Sequence, residues 1–131
     1  MIVEGQKITV DALTPGTYRP HRQDIVVMIE YLSLGRTNLF MRRVIGIPGD
    51  TVSCDGDGGP LILNGVALSE PYLHKGDSAS MVPFDVKVPA GCLWLLGDHR
   101  AIALDCRYHL SEANHGAISI ADVVGIYHPK A

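Results

Sequence analysis

Two adjacent arginines, Arg42 and Arg43, sit inside the apolar run Phe40-Met41-Arg42-Arg43-Val44-Ile45-Gly46-Ile47, which stops at Pro48-Gly49-Asp50. A guanidinium keeps its proton in proteins, with a pKa above about 12, so Arg42 cannot act as a general base. Its forked donors suit a carboxylate, an enolate or a carbonyl oxygen. Tyr31 is a second group able to polarise such an oxygen. A further charged set, Asp98, Arg100, Asp105 and Arg107, follows the apolar run Cys92–Leu96. It reads either as a charge cluster beside a site or as a salt-bridge network holding two turns, and the second reading is preferred. The histidines His21, His74, His99, His109, His115 and His128 show no metal-ligand spacing, so no metal is expected. Asp55-Gly56-Asp57-Gly58-Gly59 superficially suggests a calcium loop, but it lacks the third oxygen ligand and the distant glutamate and reads better as a plain turn.

The segments that must position these residues are short. Ile25–Leu32 is a continuous β-branched and apolar run, which suits a central strand. Ser33–Asn38 makes a hairpin connection into the strand that carries Arg42. Asn64-Gly65 between apolar runs is the strongest short hairpin signal in the chain. Thr14–Thr17 is a turn, residues 2–10 alternate loosely as a possible first strand, and Ile118–Tyr127 reads as a final one. About eight such runs, separated by Gly, Pro and Asn turns and lacking helical periodicity, predict an all-β fold.

The 131 residues, 47% hydrophobic and with a formal charge of −3, suggest one globular domain over residues 1–131 and no nucleic-acid partner. No apolar run approaches the roughly 18 residues of a membrane helix. The start, Met1–Gln6, has neither the basic nor the apolar segment of a signal peptide, and no membrane anchor is expected. Three cysteines without a secretion signal favour reduced thiols in a cytoplasm over a Cys54–Cys92 disulfide.

The run Arg42-Arg43-Val44-Ile45-Gly46-Ile47-Pro48-Gly49-Asp50 resembles a box of the bacterial type I signal peptidases, Lys-Arg-Val-Ile-Gly-Leu-Pro-Gly-Asp. The run Ile25–Leu32, with the residues just before it, resembles their Arg-Gly-Asp-Ile-Val-Val-Phe box, with Gln23 where glycine is usual. Cys92–Arg107 resembles their last box, and Asp98, Arg100, Asp105 and Arg107 keep its pattern. Ser69–Leu73 and Asp122–Gly125 match as well, the former in the actinobacterial style. The resemblance implies coiled antiparallel sheets forming a small signal-peptidase-like β-barrel with an extended apolar groove. It also implies a Ser/Lys dyad whose base falls on Arg42 here, and whose lysine-orienting serine falls on Ala103. Val3-Glu4-Gly5-Gln6 looks like the lead-in to the nucleophile box, with the serine segment deleted, unless the four-residue match is chance. Ser80-Met81-Val82-Pro83 repeats the nucleophile motif but after the arginine box, so Ser80 reads as a loop serine.

Loss of base, orienting serine and nucleophile segment together leads to the expectation of a non-proteolytic derivative. Its groove would bind an elongated hydrophobic small molecule, as a cofactor-free cyclase of the cycloaddition, Diels–Alder, type in polyketide or other secondary-metabolite biosynthesis. Met28, Ile29, Phe40 and Met41 would line it, with Ile102 and Leu104 on the far wall. Strand alternation lets only one of each adjacent pair face inward. Arg42 and Tyr31 would polarise the substrate, and confinement of a reactive conformer would supply the rate. No cofactor is needed, and a homodimer is a possible state. The alternatives are a catalytically dead peptidase that binds an extended peptide by strand addition, and an active serine peptidase that uses, for instance, Ser80.

Overall fold

The computed structural model describes residues 10–14, 16–31, 33–35, 37–103 and 105–128. Among these residues ten strands follow one another: β1 Val10–Ala12, β2 Ile25–Tyr31, β3 Thr37–Gly46, β4 Thr51–Cys54, β5 Ile62–Leu63, β6 Val66–Ala67, β7 Phe84–Lys87, β8 Cys92–Leu96, β9 Ile118–Ser119 and β10 Val123–Tyr127. All pairings are antiparallel. They build a six-stranded sheet in the order β1-β10-β2-β3-β8-β9 and a four-stranded sheet in the order β6-β5-β4-β7. The all-β expectation holds. The two sheets are not closed into a barrel, however: β1 and β9 are the outer strands of one, β6 and β7 of the other. Among the described residues, no helix is long and apolar enough to cross a membrane.

The β-branched run becomes β2, and its Val26, Val27 and Met28 are all buried, so both faces of the strand are covered. A single 3-10 turn, Ser33–Gly35, joins it to β3. The Asn64-Gly65 signal is a two-residue hairpin: Asn64 and Gly65 both take positive φ, and Ile62 pairs with Ala67, Leu63 with Val66. The final strand expected over Ile118–Tyr127 is broken. Ser119 accepts a hydrogen bond from the Ala121 amide and caps a 3-10 turn, Ile120–Asp122. This break lets the chain leave β8, which β9 pairs, and add β10 between β1 and β2.

The core gathers Trp94, Leu93, Leu95 and Leu96 of β8 with Val26, Val44, Val52, Leu61 and Phe84. Gly46 marks the join between the sheets. A Cβ there would lie 2.9 Å from both Val52 and Val88, so only glycine lets β3 pass so close to them. Cys54, Cys92 and Cys106 are all buried and free, in line with reduced thiols.

The turn after β3 is held by Asp50. Its carboxylate accepts from the Ile47 amide at 3.0 Å and from Asn64 Nδ2 at 3.0 Å. Arg22 donates to both of its oxygens, at 2.7 and 2.8 Å. One side chain thus ties the loop before β2, the Pro-Gly-Asp turn and the Asn-Gly hairpin together.

Candidate functional site

Strand β3 carries Arg42, and β3 is paired unequally. Against β2 it is paired from Thr37 to Arg43. Against β8 it is paired only from Arg43 to Gly46, with an irregularity between Val44 and Gly46. On the β8 side, residues 37–41 therefore have no strand partner among the described residues. An edge of this kind offers amide and carbonyl groups to an added strand.

Arg42 stands where that edge meets β8. Its Nη1 donates to the Met41 carbonyl at 2.6 Å, and its guanidinium lies 5.4 Å from the Phe40 ring centroid. A Cβ on Gly97 would be 2.5 Å from the Ala103 Cβ and 3.7 Å from Arg42 Cδ. Ala103 and the Arg42 side chain thus both approach Gly97, and the resemblance placed the orienting serine of the family at Ala103.

Gly97 is itself fixed from both sides. Asp105 Oδ2 accepts from its amide at 3.0 Å, and its carbonyl accepts from Arg100 Nε at 2.6 Å. Asp105 is paired with Arg107 (2.8 and 3.0 Å), whose Nη2 also reaches the Arg100 carbonyl and whose Nη1 reaches Ser80 Oγ. Arg100 is paired with Glu70 (2.6 and 3.2 Å) and donates to the Ala79 carbonyl. The Arg100, Glu70, Arg107 and Asp105 side chains are all 2% exposed or less. Buried charges persist only when paired and hydrogen-bonded, as these are. Asp98 lies outside this network and is held bidentately by Arg43, whose guanidinium packs 4.1 Å from the Tyr72 ring centroid. The four residues singled out from the sequence therefore form two ion-paired groups, with Glu70 and Arg43 as partners that sequence reading missed. Glu70 lies 30 positions from Arg100, and only the fold brings them together.

The proposed ligand-lining residues are scattered. Met28 is buried in the core, while Phe40 packs against it from a partly buried position. Met41 is half-buried on the same strand and Ile102 is 69% exposed. The side chains of Tyr31 and Ile29, Leu104, and the stretch Val3–Gln6 lie outside the described residues. A pocket of about 440 Å³ lies near Arg100, and it is lined by Asp77, Ser78 and Arg107 together with Met81 and Tyr108. None of Met28, Phe40, Met41 or Ile102 contributes to it.

Two nucleophile types occur nearby, and both are sealed. Ser80 is fully buried, with its hydroxyl donating to the Val82 carbonyl and accepting from Arg107. It is a structural serine, as its place in the sequence suggested. The Cys106 thiol is buried beneath Leu95, and burial pushes its pKa up to about 12. It is inert as a thiolate nucleophile.

The family model for signal peptidases, peptidase S26, matches residues 1–128. The chain belongs to this family. It is 28% identical over 170 residues to a probable signal peptidase I of Mycobacterium leprae, covering 92% of this chain and 58% of that protein. It is 33% identical over 129 residues to signal peptidase I U of Bacillus subtilis, covering 93% of this chain and 64% of that one. Thus it spans roughly three fifths of the length of these relatives. A crystal structure of a signal peptidase I from Enterococcus faecalis superposes with a TM-score of 0.61 at 28% identity, over 85% of this chain and 98% of that one.

These matches overturn two expectations: the cyclase of polyketide or antibiotic biosynthesis, and the catalytically dead pseudopeptidase. Every named relative above is a signal peptidase I. The physical fault in the cyclase reading is plain. Arg42 says which group cannot accept a proton, but it carries no information about a hydrophobic ligand. The 440 Å³ pocket is not lined by Arg42 or by the described ligand-lining candidates, and Asp77, Ser78, Arg100 and Arg107 all contribute to it.

Proposed function

We propose that this family member processes peptides in the manner of the signal peptidases it resembles. An extended peptide would lie along the free edge of β3, and a peptide bond would be hydrolysed beside Arg42. The observation that carries this reading is the stretch of β3 that leads up to Arg42, residues 37–41, with no partner strand on its β8 side among the described residues. A peptide added there would bond to alternate β3 residues, because strand groups alternate in direction.

The chemistry divides between what Arg42 can and cannot do. Its permanent charge suits the oxyanion that develops when a peptide carbonyl is attacked, a contribution commonly worth 10²–10³ in rate, to order of magnitude. It cannot take the nucleophile's proton. Ser80 and Cys106 are both sealed, so neither is offered as the nucleophile. Gly97, fixed by Asp105 and Arg100, sets how closely the Ala103 turn and the Arg42 side chain can approach it.

Hydrogen exchange tests the binding half. A peptide spanning a signal-peptide cleavage region should protect amides within residues 37–41 and leave those of the β5–β6 hairpin unchanged. Equal exchange at residues 37–41 with and without saturating peptide would remove the β3 edge from the site.

A further inference from the structure

We propose that His74, Asp77 and His99 form a divalent transition-metal site of the zinc class that clamps the 74–77 loop to the turn after β8. Two imidazoles and one carboxylate favour zinc-like ions over magnesium or calcium, which prefer oxygen ligands alone. The sequence spacing conceals the set, because His74 and His99 lie far apart in the chain. The fold brings one ligand atom from each of the three residues within 4.8 Å of the other two.

The backbone around the three residues is already fixed. The His74 amide donates to the Asp98 carbonyl at 3.1 Å, and the Asp77 amide donates to the His74 carbonyl at 3.0 Å. Asp77 Oδ2 accepts from the Ala101 amide at 3.2 Å. The amides of Ile102 and Ala103 both donate to the His99 carbonyl. The two segments that carry the ligands are therefore held together without any ion.

The side chains show what an ion would add. The Asp77 carboxylate is only 10% exposed, and among the described residues its ion-pair partners are the two histidines alone. His74 Nδ1 is 3.9 Å from Oδ1, and His99 Nε2 is 3.6 Å from Oδ2. The two rings stack at 3.7 Å with 12° between their planes. A divalent ion bound by the two imidazole nitrogens and the carboxylate would link all three side chains at once.

Ligands bonded at about 2.0–2.1 Å around a tetrahedral ion stand roughly 3.3 Å apart, so the histidine–carboxylate spacings of 3.9 and 3.6 Å must contract, and the three ligand atoms, which lie within 4.8 Å of one another, must draw together. The near-parallel rings must also turn about χ2 to converge, a soft torsion for histidine. Both rings are partly exposed, so this movement is unobstructed by core packing. Asp77 also lines the 440 Å³ pocket, which gives water access to the remaining coordination positions. The clamp would lie one turn from Ala103, which approaches Gly97.

Cobalt(II) titration of the full chain at pH 7.5, followed by visible absorption, tests the site directly. The expected result is a saturable one-to-one spectrum that zinc displaces and magnesium does not. His74→Ala and Asp77→Asn should each weaken cobalt binding at least tenfold, whereas His128→Ala, which removes a surface imidazole elsewhere, should not. Asp77→Asn keeps the acceptor for the Ala101 amide, so it separates loss of a ligand from loss of folding. Parent-like affinity in both ligand variants, or no saturable binding in the parent, would overturn the proposal.

Discussion

At the residue scale, Arg42, Asp50 and Cys106 show how burial and partners decide chemistry. Asp50 is 5% exposed, and the Arg22 guanidinium, helped by Asn64 and the Ile47 amide, holds its carboxyl at about 2. Its folded pKa lies below the unfolded value, so its contribution to stability is fully present above about pH 4 and is lost as pH falls through about 2. Asp50→Asn should cost about 2 kcal/mol at pH 7, with the difference from the parent vanishing towards pH 2, as measured by urea unfolding at both pH values. Cys106, with its pKa raised, and the equally buried Cys54 and Cys92 should all resist an aromatic disulfide reagent at pH 8 in the folded protein and react together on unfolding. Rapid reaction of one thiol in native buffer would contradict the packing around it.

At the element scale, the close approach at Gly97 deserves a direct test because it joins β8 to the wall of the site. A methyl group there would sit 2.5 Å from the Ala103 Cβ, so Gly97→Ala must displace the 98–103 turn. Overpacking of this kind commonly costs about 1–3 kcal/mol. Peptide turnover should fall further than thermal stability alone explains, as read from turnover measured well below the variant's melting temperature. Much of this scale was legible in the chain. The β-branched run gave β2, the Asn-Gly pair gave the β5–β6 hairpin, and the run before Asp98 gave β8. The break at Ser119–Asp122 was not, because alternating apolar residues there look like one strand until the change of pairing partner is seen. The partners of the buried arginines were hidden for a similar reason. Arg43 finds Asp98 across 55 positions and Arg100 finds Glu70 across 30. Neither separation carries a periodic signal. The His74–Asp77–His99 cluster escaped notice because its ligands converge through backbone turns rather than through spacing.

At the scale of the whole molecule, two antiparallel sheets and their join at Gly46 place the open edge of β3 next to a rigid, ion-paired turn. The family match covers residues 1–128 and so includes that edge. One guanidinium in place of an amine changes the proton chemistry at Arg42 without disturbing the strand pairing around it. The central claim, peptide hydrolysis beside Arg42, is tested most directly by incubating the purified chain with a peptide that spans a signal-peptide cleavage region and analysing the products by mass spectrometry. The account predicts cleavage at a single bond, slowed roughly 10²–10³-fold in Arg42→Ala. An intact peptide after prolonged incubation with the parent, or equal cleavage by the parent and Arg42→Ala, would contradict it.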